Sequence, residues 1–522
     1  MKQMSASKQK KLRQDRIAGG TPDFKTRRQE EEWKKEHRTN VLYAIVGITF
    51  VVVAVALVVW NSNFFQRRAT AVSINGVKYT AADMNYYYIT SYNSVVNQYS
   101  SYLSYLGLST STSLKKQSLN DTAKMFLGVT DDMTWDEYFK QSAKTSMIAV
   151  TMLAKEANAN NYAFTDEMQS VLDSAVSSLE TSASSAGYST KDYLKAVYGS
   201  YMTMSILQKD LKQAILASYY EQSYVADLNY TDDQITSYYN DNKNSFDLVD
   251  YDYVNIKATA ATKDADGNTV TPTDEQTAAA QAAAKAAADD IYARYQAGET
   301  LTAAAADYSD IATAGSRTGA TYAAATTTSW AFDSSRVSGD STLLNDDSYY
   351  YIVVFHSRYR NDYNTVNMRH ILFKVDKTTL DSTSATYNDD LAALRQTALD
   401  KANDVLQQWK AQGSTEDAFA ALADANSDDT ASGGLYKQVY KDQMATEIND
   451  WLFDPARKSG DCDIVLTDSY GYHIVYFIGT DEPYWKVQVK STLTSSDYSS
   501  WTSGLVENIT AVEGSGMKYV GK

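Results

Sequence analysis

The longest hydrophobic run, Val41 to Trp60, reads VLYAIVGITFVVVAVALVVW and carries no charge. Its length is close to the ~20 residues that a helix needs to cross a bilayer. A buried core helix rarely stays uncharged for so long. A cleaved signal peptide is the stronger rival, although its apolar part normally covers only about 7–15 residues. Ala69-Thr70-Ala71 follows and looks like a cleavage site, so a retained and a processed segment both stay open. Next, Ala71 to Thr80 reads as a short hairpin turning at Asn75-Gly76. Thr80 with Asp83 three residues on marks a helix start.

From there to about residue 246 the periodicity is mainly helical. Ser146 to Ala157, SMIAVTMLAKEA, is apolar nearly all round and predicts a buried helix. Thr231 to Gln234 has the spacing of a capping box and opens another helix. The pattern changes near Phe246. Asp247 to Ala258 alternates as a strand does, and Thr273 to Gln276 caps an alanine-rich helix running to about Gln296.

The second half repeats itself. Trp330-Ala-Phe-Asp-Ser-Ser-Arg-Val-Ser-Gly-Asp340 matches Trp451-Leu-Phe-Asp-Pro-Ala-Arg-Lys-Ser-Gly-Asp461 at seven of eleven positions. Asp-Ser-Tyr follows each copy, and then a strand, ending at Phe355 in the first and at Phe477 in the second. Residues 247–362 and 363–482 therefore read as two copies of one α+β module: strand, helix, irregular loop, helix, strand.

The second copy carries candidate chemistry. It opens on Val366-Asn-Met-Arg-His370-Ile-Leu-Phe373. It continues through helices near 389–412 and 418 into Asn426-Ser-Asp-Asp429-Thr-Ala-Ser-Gly-Gly434, then Gln443-Met444 and Gly471-Tyr-His473-Ile474. This order resembles the parvulin family of peptidyl-prolyl isomerases over about 115 residues. The resemblance implies that His370 and His473 are the paired histidines at the floor of the site. It puts Asp429 at the position that the family fills with Cys or Asp, and Thr467 as the hydroxyl joining the histidines. Met444, Ile448, Tyr436 and Phe453 would form the proline pocket. Ile448 stands where the family often has Phe, and Tyr436 where it often has Leu. The first copy lacks the pair. Asn255 aligns with His370, Ile311 with Asp429 and Tyr351 with His473, so this copy is expected to keep the fold without catalysis.

Such a site requires no metal and no cofactor. Proline isomerisation breaks no bond; it turns an amide whose barrier is about 18–20 kcal/mol. A catalyst has to hold the prolyl ring and favour the twisted amide.

Charge adds location and partners. The first forty residues hold 12 Lys and Arg against 6 Asp and Glu, a net +6, while the whole chain is −16. The basic tail is therefore expected in the cytoplasm, with the acidic bulk outside the cell membrane. The acidic bulk argues against nucleic-acid partners. Cys462 is the only cysteine, so no disulfide or thiol metal site can form within the chain.

The sequence thus predicts an α+β multidomain chain: a basic tail over 1–40, a transmembrane anchor over 41–60, a helical chaperone-like domain over 61–246, two modules, and a C-terminal segment over 483–522. The arrangement resembles extracytoplasmic foldases of the PrsA and SurA kind. That resemblance implies unfolded or newly secreted chains with X–Pro bonds as clients. It also implies that Ser495 to Ile509 returns as a helix to the helical domain and that Met517 to Val520 closes as a strand. A holdase with little isomerase activity, and an acidic surface scaffold using the same fold, are the alternatives.

Overall fold

The computed structural model describes residues 7, 10, 11, 27–61, 67–263 and 269–521. It is an α+β protein whose chain forms two compact units, Met1–Asp227 with Ser499–Lys522 and Leu228–Tyr498. The apolar run lies within one helix, Arg27–Asn61. Its side chains Leu42, Ile45, Phe50 and Leu57 are exposed. Among the described residues, no helix is long and apolar enough to cross a membrane. The side chains of residues 56 and 58–60, and most of the basic tail, lie outside the described residues. The expected transmembrane span is therefore not shown; its residues belong to a 35-residue helix in which the apolar stretch is continuous with the charged Arg27–Arg38.

In the first unit, β1 (Thr70–Ile74) and β2 (Val77–Thr80) form the expected hairpin. Asn75 (φ 45°) and Gly76 (φ 82°) supply the left-handed turn. Thr80 caps the helix Ala81–Gln98, and the Asp83 side chain accepts the Thr80 backbone N–H in return. Ile74, Met84, Tyr88, Trp135, Phe139 and Met147 are fully buried and share one core. Ser146 to Ala157 departs from expectation. It is the second half of the helix Trp135–Ala159, and it buries only the stripe Met147, Thr151, Leu153, Ala154 and Ala157. The last strand, Ala511–Glu513, pairs antiparallel with β1 through Val72 and Glu513. The expected closing strand over Met517 to Val520 is instead a short 3-10 turn, Met517–Tyr519. The N–H groups of Met517, Tyr519 and Val520 donate to the carbonyls of Gly514, Gly516 and Met517, three residues back, and so close the chain into a turn there.

The second unit opens with the helix Asp232–Asp241, which the sequence boundary at 246 would have assigned to the helical domain. Its Ile235 and Tyr239, with Phe246, share a small core with Trp485 and Val489. Two sheets follow. The first contains β3 (Asp247–Lys257), β4 (Ala312–Ala320), β5 (Ser341–Asn345) and β6 (Tyr349–Arg360), in the order β4-β3-β6-β5. The second contains β7 (Asn364–Lys374), β8 (Leu435–Val439), β9 (Cys462–Thr467) and β10 (Gly471–Pro483), in the order β8-β7-β10-β9. Both are antiparallel, with first and last strands side by side in the middle. One face of each is covered by helices. Ala284, Ala288 and Ile291 pack on Val254, Ile256 and Ile352 in the first. Ala402, Trp409 and Phe419 pack on Ile371, Phe373 and Tyr476 in the second. Alternation along β7 then turns Met368 and His370 to the opposite face.

Candidate active site

His370 and His473 stand on the two central strands of the second sheet, where Val475 pairs with His370 and Leu372 with His473. The two rings are nearly parallel, at 10°, and their Nδ1 atoms are 3.0 Å apart. His370 Nε2 lies 3.1 Å from Asp429 Oδ2, and His473 Nε2 lies 3.1 Å from Thr467 Oγ1. The four polar residues singled out from the sequence thus form one continuous chain. Tyr436 extends it, its hydroxyl donating to the same Asp429 Oδ2 at 3.1 Å.

Local backbone explains how Asp429 arrives there. The helix Glu416–Asn426 ends and the chain turns back along β7. Ser427 Oγ accepts the backbone N–H of Leu372, and Asp428 accepts that of Lys374. Gly433 and Gly434 then take φ of 57° and 61°, where an L residue is strained. A Cβ on Gly434 would collide with the carbonyl of His370, so the loop reaches the histidine only because that residue is glycine. Arg369 secures the other side, donating to Glu416 and to the carbonyl of Gly433.

Burial fixes the electrostatics. His370 and His473 are 2% and 4% exposed. Burial pushes His370 below the ordinary histidine value, against the pull of Asp429. Burial and the neighbouring His370 push His473 down to about 4. Both rings are therefore neutral at pH 7. Burial raises the Asp429 carboxyl, but the N–H of Ala431, His370 and Tyr436 together hold it below the usual carboxylate value. With Asp429 ionised, hydrogen positions follow. Thr467 O–H donates to His473 Nε2, His473 Nδ1–H to His370 Nδ1, and His370 Nε2–H to Asp429. Every buried polar atom of the chain is satisfied with one proton per ring.

Beside this chain lies an apolar wall. Val366, Met368, Val439, Ile448, Leu452, Val475 and Phe477 are buried together, and Tyr436, Met444, Trp451 and Phe453 pack on them half-buried. Met444, Tyr436 and Phe453 present surface as a pocket needs. Ile448, at 1% exposure, is core beneath that wall rather than lining. The sequence reading missed Trp451, although its place in the repeat marks it, and Tyr470, whose ring meets His473 edge-on at 6.3 Å. Among the described residues no group of three or more His, Cys, Asp or Glu is arranged to hold a metal.

The first sheet corrects the alignment of its counterpart. Tyr351 does occupy the place of His473, but it pairs with Asn255, while Val353 pairs with Tyr253. Since Val475, the equivalent of Val353, pairs with His370, the residue in the place of His370 is Tyr253 and not Asn255. Tyr253 lies across Gly315, where a Cβ would touch its hydroxyl. Ile311 does not stand in for Asp429 either. The chain after it enters β4 at once and pairs with β3, so this segment forms no counterpart of the Asp429 loop. Tyr351 donates to Asp346 at 2.6 Å, and no histidine is involved.

The family model of the PPIC-type PPIASE domain matches residues 350–480. No curated protein matches the chain. The match begins within β6 and takes in β7, β8, β9, most of β10, their helices and the paired histidines, so the chain carries a parvulin-type peptidyl-prolyl cis-trans isomerase domain.

Proposed function

We propose that this protein is a membrane-anchored, extracytoplasmic foldase that turns X–Pro bonds in secreted chains at the site built on His370, His473, Thr467 and Asp429. The observation that carries the catalytic part is the closed hydrogen-bond chain from Thr467 to Asp429 beside a half-buried apolar wall. The prolyl ring would lie against Met444, Phe453 and the ring of Tyr436. A planar amide is dipolar, with negative charge on its oxygen; a twisted one is less so. An apolar wall with an ionised Asp429 beside that oxygen disfavours the planar form and lowers the barrier to turning. The two histidines are too buried to touch a peptide. They act through Asp429, whose side chain is 23% exposed, by holding it in place.

Isomerisation of an X–Pro tetrapeptide by the intact protein tests this, compared with His473→Ala. Equal rates from both would end the reading. The anchored and extracytoplasmic parts rest on the uncharged run Val41 to Trp60 and on the basic tail ahead of an acidic bulk. Protease added to intact cells should digest the bulk of the chain while sparing residues 1–40; full protection would overturn that orientation.

The first module is proposed as a degenerate copy that keeps the strand order and lacks the histidine chain. One observation favours a holding role for the first unit as well. A groove of about 540 Å³ is lined by Tyr86, Tyr87, Val95, Phe126, Leu127 and Tyr138, a mixed apolar and hydroxyl surface able to take unfolded chain. Suppression of client aggregation by the His473→Ala protein would support it, and no effect at stoichiometric excess would remove it.

A further inference from the structure

We propose that Tyr436 is a positioning residue of the isomerase site, whose hydroxyl holds Asp429 ionised and turned to His370 and so sets the direction of the whole proton chain. The inference rests on the isomerase reading only for its kinetic consequence.

Three observations carry it. Tyr436 pairs with Met368 across β7 and β8, which brings its ring edge-to-face with His370 at 5.1 Å and 77°. Its hydroxyl reaches the same Asp429 oxygen that accepts from His370, while the other oxygen accepts the Ala431 N–H at 2.9 Å. Three donors from three segments therefore converge on one carboxylate. The groups facing Asp429 are His370 from β7, with His473 from β10 behind it, and Tyr436 from β8. On its own loop, Asp428 is turned away to the Lys374 backbone.

The chain has two satisfiable directions. With Asp429 ionised, protons sit on His370 Nε2 and His473 Nδ1. If Asp429 took up one proton and donated it to His370 Nε2, His370 Nδ1–H would donate to His473 Nδ1. His473 Nε2–H would then donate to Thr467, whose own hydrogen turns to the carbonyl of Gly471, 3.4 Å away. The second direction costs no buried hydrogen bond, so the choice falls to whatever stabilises the Asp429 charge. The Tyr436 hydroxyl does so by donating to it. The leucine that the family often carries at this position has no such donor.

The full chain in detergent micelles, labelled with ¹⁵N-histidine, gives a direct reading, because it holds only four histidines. In the wild type at pH 7, two-bond ¹H–¹⁵N correlations should show His370 protonated on Nε2 and His473 on Nδ1, with reversal only in acid. Tyr436→Phe keeps the ring and should raise the midpoint of reversal by about half a pH unit or more. In the isomerase assay it should move the acid limb of the pH–rate profile upward by the same amount. It should lower kcat at pH 7 by about 3- to 10-fold with KM unchanged within about twofold. Tyr436→Leu, which removes the ring as well, should raise KM too. A Tyr436→Phe protein whose reversal midpoint and acid limb both match the wild type overturns the proposal. An inactive wild type showing these tautomers and this shift defeats the isomerase reading and supports the positioning role.

Discussion

His370 and His473 meet through their Nδ1 atoms, 3.0 Å apart on adjacent strands. One ring must donate and the other accept, so neither can change protonation without the other. Replacing either alone strands a buried ring nitrogen, which costs about 1–3 kcal/mol; replacing both removes donor and acceptor together. Denaturant unfolding of His370→Ala, His473→Ala and the double variant should therefore give a coupling of about 0.5–3 kcal/mol. Strictly additive losses would show that the contact does not bind the two strands energetically.

The same burial makes the second unit acid-sensitive. His473 is pushed down to about 4 in the folded protein, while an unfolded histidine titrates near 6.5. Below that value the unfolded chain takes up a proton that the folded chain refuses, so stability is lost as pH falls from about 6.5 to about 4. His473→Phe has no such proton to refuse. The difference in unfolding free energy between the two proteins should narrow steadily across that window. A constant difference from pH 7 to pH 4 would contradict a neutral buried ring.

Much of the site was legible because parvulin-like motifs are short runs on single strands, and a strand carries its residues to one place together. The repeat was legible for a related reason. Arg336 stacks on Trp330 at 4.3 Å and donates to its carbonyl, and Arg457 does the same to Trp451 at 3.7 Å, so each copy keeps one clasp with its own side chains. The counterpart of His370 was not legible. Asn255 and Tyr253 are two residues apart on β3 and face the same side, so alternation cannot separate them; only pairing with β6 does. The bond from Tyr436 to Asp429 was also out of reach. It depends on a loop that closes between strands by way of two left-handed glycines.

Those glycines give a sharp contrast. Gly434 sits at φ 61° with the His370 carbonyl where its Cβ would be, whereas Gly460 sits at φ 92° with nothing within 4 Å. Gly460→Ala should cost only the left-handed strain, about 1 kcal/mol. Gly434→Ala must also push the Asp429 loop away from His370. It should destabilise the module by about 3 kcal/mol or more and take most of the isomerase activity with it. Equal thermal shifts and equal rates for the two variants would show that the loop is free to move.

The first module should be silent in catalysis. Its strand pair offers Tyr253 and Tyr351 where the second offers His370 and His473. Tyr253→Phe and Tyr351→Phe together should leave tetrapeptide isomerisation within about twofold of wild type, against a loss of about 10²-fold for His370→Ala, the size of effect expected when an acid–base network is broken. A drop of tenfold in the double tyrosine variant would place an active site where this reading has none.

Asp210 sets a pH slope of opposite sign in the first unit. It lies on the helix Met204–Asp227, fully buried, and neither of its oxygens accepts a hydrogen bond in good geometry. Lys209 Nζ stands 3.3 Å from it and is shared with Asp83, which is also buried. Burial first, and then the charge of Asp83, raise the Asp210 carboxyl to about 7 against the pull of Lys209. The folded unit thus binds a proton that the unfolded chain releases near 3.9. Stability from this group is full below that value and is lost as pH rises to about 7. Each unit of pKa shift is worth about 1.4 kcal/mol, so the loss is on the order of a few kcal/mol by pH 8, with the pull of Lys209 already included. Asp210→Asn fills the same space without a charge. It should raise the melting temperature of the first unit at pH 8, and the gain should shrink as pH falls from 7 to 4. A variant less stable than wild type at pH 8 would mean that the Lys209 contact outweighs the cost of burying the charge.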